Sequence, residues 1–181
     1  AIKIFDRKGP EKIEGTYARE IESEFRYMEM FREDPNIVQG ISLLKEGDRF
    51  LMVMEYCPGS LIAKLERGRL EEREAERIFG SVLKAVRFIH SKGVAHRDLK
   101  AENVMICGDG MPKVGDFGSA VPFLDESGQI LFSKDVEGTE PYLPPEINRL
   151  PAMPYNAALT DIWQLGILYV AMALRKLPWD I

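Results

Sequence analysis

Four polar side chains in the stretch VAHRDLKAENVMICGDGMPKVGDFG, residues 94–118, are of types that could do chemistry together. Lys100 lies two residues after Asp98, Asn103 five after it, and Asp116 thirteen after Asn103. An acid, an amide and a second acid at these separations suit phosphoryl transfer. Asp98 can orient an attacking hydroxyl and accept its proton, and Asn103 and Asp116 offer oxygen ligands to Mg²⁺. Lys100 is a cation able to reach the same phosphate.

The flanking sequence must supply the elements that hold these groups. AIKIF at the front alternates apolar and polar residues and is predicted to be a strand. Residues 6–15, with Gly9-Pro10, read as a loop. A helix is predicted over 17–32, with Ile21, Phe25, Met28 and Phe31 (or Arg32 in the last place) on one face. Two apolar runs, 37–44 and 49–56, flank Lys45-Glu46-Gly47-Asp48 and predict a hairpin. A second helix is predicted over 70–92, with a core stripe of Ala75, Ile78, Phe79, Val82, Leu83, Val86 and Ile89. Glu71, Glu72 and Glu74 sit at its positive end, and Gly93 stops it. His90 has no partner acid nearby in sequence and reads as a structural or surface histidine. Gly108-Asp109-Gly110 predicts a tight turn between 104–106 and 113–114. Residues 119–139 show no periodicity. A third helix, 161–175, has Thr160 as its expected N-cap and apolar residues nearly all round, which predicts burial.

Composition bounds the rest. A chain of 181 residues with 45% hydrophobic and 29% charged residues has the size and balance of one soluble domain with a real core. Its net charge of -5 and dispersed Lys and Arg give no support to a nucleic-acid role. Cys57 and Cys107 are the only cysteines and read as two reduced thiols in a cytoplasmic protein. The absence of C-x-x-C and of a His-Cys cluster argues against zinc. The apolar run 165–174 is too short to span a bilayer, and AIKIFDRKGP lacks the apolar region of a secretory signal, so no membrane association is expected.

His96-Arg97-Asp98-Leu99 with Asn103, followed by Asp116-Phe117-Gly118, resembles the catalytic and metal-binding core of the protein kinase family. Further blocks share the likeness: DPNIV at 34–38, MEYCPGS at 54–60, GTEPYLPPE at 138–146, and Asp161-x-Trp163-x-x-Gly166. The resemblance implies ATP and Mg²⁺ as cofactors and assigns roles. Lys3 resembles the strand lysine that binds the α- and β-phosphates, and Ala1 would lie against adenine. Glu24 is the preferred helix glutamate to pair with Lys3, with Glu20 and Glu22 as competitors. Glu55 and Cys57 would meet the adenine edge through their backbone, Met54 would limit the pocket behind it, and Met105 would lie beneath it. Asp98, Lys100 and Asn103 would be catalytic, with Asn103 and Asp116 holding the metal. His96 would pack beside the metal-binding motif. Arg97 could pair with a phosphate on the segment 119–139, where Ser127, Ser133 and Thr139 are the candidate hydroxyls. Thr139 would bond near Asp98, and Asp161 would brace the 96–98 backbone. Gly40 stands where the family has a bulky apolar residue, which predicts a thin layer that Ile41 could fill.

The implied fold is α+β and two-lobed: a small antiparallel sheet with one helix, then a mainly helical lobe, incomplete at both ends. Residues 1–54 would form the partial small lobe, 55–59 the hinge and 60–181 the partial large lobe. The implied activity is transfer of the ATP γ-phosphate to Ser or Thr of protein substrates. Glu102 resembles an acid that favours basic residues before the target. Finer similarity runs to fungal kinases of the halotolerance and permease-regulating type, near the calcium/calmodulin-dependent group. The rival readings are an inactive fragment, a pseudokinase scaffold and a small-molecule phosphotransferase. Substrate, pathway and oligomeric state stay open.

Overall fold

The computed structural model describes residues 1–5, 14–47, 49–148 and 153–180. The loop expected over 6–15 falls mostly outside the described residues, as does Asp48 of the expected hairpin turn.

Strand β1 (Ile2–Phe5) comes first, then helix α1 (Glu14–Met30), and β2 (Gly40–Glu46) and β3 (Arg49–Met54) follow. The three strands form an antiparallel sheet in the order β1-β3-β2. Lys3 lies opposite Met52, and Glu46 opposite Arg49 across the hairpin. Gly47, at φ +59°, supplies the left-handed residue that this turn needs. Alternation sets the faces of β1: Ile2 and Ile4 are exposed, while Lys3 and Phe5 turn inward. Ile21, Glu24 and Met28, at spacings of three and four, form the buried side of α1, and Phe31 is fully buried just past its end.

Strand β4 (Gly59–Ser60) opens the second body and runs into α2 (Leu61–Arg67), a helix the sequence reading did not separate out. Ser60 caps α2, its Oγ accepting from Ala63 N at 3.3 Å. Helix α3 (Glu72–Ser91) follows, then β5 (Val94–Ala95), β6 (Val104–Ile106), β7 (Pro112–Val114), β8 (Val121–Pro122), β9 (Phe132–Ser133), β10 (Tyr155–Asn156) and α4 (Ala157–Leu174). The short strands make three small sheets: β4-β6-β7, β5-β8 and β9-β10. Segment 119–139, aperiodic in sequence, is therefore pinned by two of them. The stripe on α3 is Ile78, Val82, Ala85, Val86 and Ile89. Leu83, assigned to that stripe from sequence, is 43% exposed because it lies round the helix from these residues.

Helix α4 departs from its sequence reading in three ways. It begins a turn earlier than expected, capped by Asn156, whose side chain accepts from Ala158 N. Thr160 is thus an interior residue, buried, and its hydroxyl lacks a partner among the described residues. With 18 residues at mean hydropathy 1.5, α4 is long and apolar enough by composition to cross a membrane, although only a ten-residue run stood out in sequence. Slightly over half of it is packed inside the protein. Nor is it buried all round: Leu159, Ile162, Tyr169 and Leu174 are each more than half exposed, while the opposite side faces α3 and β5.

Candidate active site

The cleft between the sheet and the helical body is built on an ion-paired trio. Inward-facing Lys3 places its Nζ 2.8 Å from Glu24 Oε1 and 2.9 Å from Asp116 Oδ1. Glu24 is one turn before Met28 on the buried side of α1, whereas Glu20, a turn further back, and Glu22 are exposed. Burial opposes the charge on Lys3, but the two carboxylates outweigh it and hold its pKa above the ordinary lysine value. For Asp116 burial pushes up, yet Lys3 dominates and draws its pKa below the ordinary aspartate value. Glu24 is raised, because burial there exceeds the pull of Lys3.

The loop carrying Asp98 hangs on α4. Asp161, fully buried, accepts His96 N at 2.8 Å and Arg97 N at 2.7 Å on its two oxygens. One turn further along, Gln164 accepts Leu99 N at 2.8 Å through its amide oxygen and donates to Arg97 O at 2.6 Å. These bonds fix a backbone in which Arg97 has φ +68°, a conformation rare for non-glycine residues. His96 is fully buried, its ring 5.1 Å from that of Phe117 and its Nε2 3.0 Å from Gly115 O. It braces the turn at 115–118, in which Asp116 has φ +63°.

Asp98, Lys100, Asn103 and Thr139 form a closed hydrogen-bonded set. Thr139 Oγ1 donates to Asp98 Oδ1 at 2.7 Å, and Lys100 Nζ lies 2.8 Å from Asp98 Oδ2 and 2.6 Å from the threonine hydroxyl. Asn103 Nδ2 donates to Asp98 O at 2.8 Å and Oδ2 at 3.1 Å. Gly138 makes the approach of Thr139 possible: at φ +115°, a Cβ there would stand 2.7 Å from Arg97 O.

A cavity of about 370 Å³ joins these parts, lined by Ala1, Lys3, Glu24, Met54, Glu55, Cys57, Asn103, Met105 and Asp116. Asp98 and Lys100 stand beside it through Asn103. The residues assigned in sequence to nucleotide, metal and catalysis are therefore in or next to one cleft, while Glu102 lines a separate cavity. The thin layer expected at Gly40 is absent. A Cβ at Gly40 would come within 3.1 Å of both Phe25 and Met28, so the Phe25 ring already fills the space, and Ile41 points to solvent.

Three pairings went unread in the sequence. Cys57 and Cys107 are joined as a disulfide, not held as separate thiols, because the pairing of Gly59 with Ile106 sets the hinge beside the end of β6. His90 has a partner acid after all: its Nε2 is 2.6 Å from Asp161 Oδ2, on a helix distant in sequence. Arg97, buried, pairs with Asp135 at 2.7 Å and also donates to Ser119 O and Tyr155 OH. Nothing in local sequence separates Asp135 from other loop acids. Gln164 was more accessible to reading, since a polar residue three past Asp161 in an apolar helix shares its face.

The protein kinase domain family matches the chain across residues 1–181. The chain belongs to the protein kinase domain family. It is 34% identical over 180 residues to the serine/threonine-protein kinase oca2 of Schizosaccharomyces pombe, covering 99% of this chain and 27% of that protein. It is 35% identical over 182 residues to the nitrogen permease reactivator protein of Saccharomyces cerevisiae, covering 100% of this chain and 23% of that protein. A plant relative, CBL-interacting protein kinase 16 of Oryza sativa subsp. japonica, is 37% identical over 182 residues, covering 99% of this chain and 39% of that protein. The chain thus spans well under half the length of these curated relatives.

Proposed function

We propose that the protein carrying this chain is an ATP-dependent serine/threonine protein kinase. The observation that carries the reading is the meeting of Lys3, Glu24 and Asp116, from β1, α1 and the turn after β7, at a cavity beside Asp98. Relatives named as serine/threonine-protein kinases, alike over nearly the whole chain, support the same activity.

In this reading adenine lies between Ala1 and Met105, against the backbone of Glu55 and Cys57, and Lys3 holds the α- and β-phosphates. The donor set suits Mg²⁺. Asp116 offers a carboxylate on the cleft, and Asn103 commits its amide nitrogen to Asp98, which leaves its amide oxygen for a hard cation. Mg²⁺ held there would neutralise charge on the transferring phosphate. Asp98 aligns the substrate hydroxyl and receives its proton. Lys100 offsets negative charge next to it, and Thr139 fixes the carboxylate's orientation. Most of the rate then comes from positioning and electrostatics.

A preference for basic residues before the target belongs to the same proposal. Its support is Glu102, exposed on a second cavity of about 420 Å³ that Glu66, Arg175 and Lys176 also line. The test is Asp98→Asn in the intact protein. Phosphate transfer to a Ser/Thr peptide should fall by roughly 10²-fold or more, while ATP binding persists. Undiminished transfer refutes the role given to Asp98.

A further inference from the structure

Cys57 and Cys107 sit where a covalent bond would alter the cleft. Cys57 is half-buried and lines the cavity, and its backbone is the one that the nucleotide reading sets against adenine. Cys107 is buried at the end of β6 and does not line that cavity. The two residues are separated by 50 positions in sequence, and the antiparallel pairing of β4 with β6 brings them together. The site also suits the open form. Cys107 Sγ lies 3.9 Å from Glu55 Oε1, within range of an S–H donor, and Lys113 Nζ holds that carboxylate at 2.7 Å. A reduced Cys107 therefore has an acceptor, whose charge Lys113 balances.

We infer that Cys57 and Cys107 are a reversible thiol–disulfide pair, oxidised by hydroperoxides, that clamps the hinge to the helical body and raises nucleotide affinity. This inference rests on the nucleotide reading of the cleft.

The chemistry balances. The more accessible sulfur, Cys57, attacks a peroxide oxygen; the O–O bond breaks, and the sulfur becomes a sulfenic acid as the first water (or alcohol) leaves. The Cys107 sulfur then attacks Cys57 sulfur, forming S–S and releasing the second water. Two thiols lose two electrons and two protons, and one peroxide is reduced. A dithiol reductant reverses the step.

The effect follows from freedom, not from a new contact. In the reduced protein residue 57 moves with the hinge, and ordering it is part of the cost of binding. In the oxidised protein the bond to β6 has already fixed it, so the nucleotide meets a preorganised edge. The expected gain in affinity is about three- to tenfold.

The test treats the intact protein with hydrogen peroxide, maps disulfides on non-reduced peptides, and titrates MgATP against both forms. The inference expects a Cys57–Cys107 crosslinked peptide, tighter binding by the oxidised form, and return to the reduced value with dithiothreitol. Cys107→Ser, with Cys107→Ala in reserve should the serine fold poorly, is expected to bind MgATP as the reduced protein does before and after peroxide. Absence of the crosslinked peptide overturns the inference. So does a crosslink with unchanged affinity, which leaves the nucleotide reading standing. Failure of both forms to bind MgATP overturns both.

Discussion

Lys3 stands between two carboxylates whose titrations act on stability in opposite senses. Asp116 is held below the ordinary aspartate value of 3.8, so its contribution is present above that pH and is lost as pH falls through its folded-state value. Glu24 is raised above the ordinary 4.5 by burial, so the fold gains from its protonation as pH falls through its folded-state value. Lys3, raised above 10.5, contributes fully below that pH and loses the contribution as pH rises through its folded-state value. Asp116→Asn should therefore flatten the acid limb of a thermal-unfolding series run from about pH 5 to about pH 3. An acid limb unchanged by the substitution contradicts the pairing. Lys3→Met removes the cation from a buried glutamate and should cost on the order of 1–3 kcal/mol, because the exposed Asp116 side of the pair is solvent-screened. Its larger effect should be on ATP affinity, read by titration.

At the scale of elements, α4 works as a post from which the loop 96–99 is hung. Gln164→Leu would leave Arg97 C=O and Leu99 N–H buried and unpaired, at a cost of about 1–3 kcal/mol each. Denaturant unfolding should show the loss, and phosphate transfer should fall with it although Gln164 lines no part of the cleft. The segment 119–139 is tied to the same loop by Arg97. Asp135 supplies the anion to that buried guanidinium, at 2.7 Å. Asp135→Asn should speed hydrogen exchange across residues 130–136; equal exchange in both proteins would show that the two small sheets suffice without the ion pair. Gly138→Ala combines a left-handed φ with a Cβ close to Arg97 O, so it should loosen Thr139 from Asp98. Reduced transfer with near-normal ATP binding is the expected pattern.

At the scale of the whole molecule, two bodies meet at one cleft, and a ligand that bridges them should stabilise both. ATP at about a hundred times its dissociation constant should add roughly 2.7 kcal/mol, seen as a rise in melting temperature that grows when Mg²⁺ is present. Much of this architecture was legible beforehand. The helix and strand periods placed α1, the β2–β3 hairpin and α3, and the spacing from Asp98 to Asp116 marked a segment that meets the cleft, because turns and short-range patterns are encoded by neighbours in the chain. The residue types of AIKIF point the other way, toward a solvated Lys3, whereas in the structure Lys3 turns inward and Ile2 and Ile4 are exposed. Tertiary structure alone decided which distant groups meet: Asp135 with Arg97, His90 with Asp161, Cys57 with Cys107, and the Phe25 ring in the space above Gly40. Those outcomes depend on where whole elements pack. A buried charge or an open volume takes whatever partner the packing brings within a few ångströms, and local sequence carries no record of that choice.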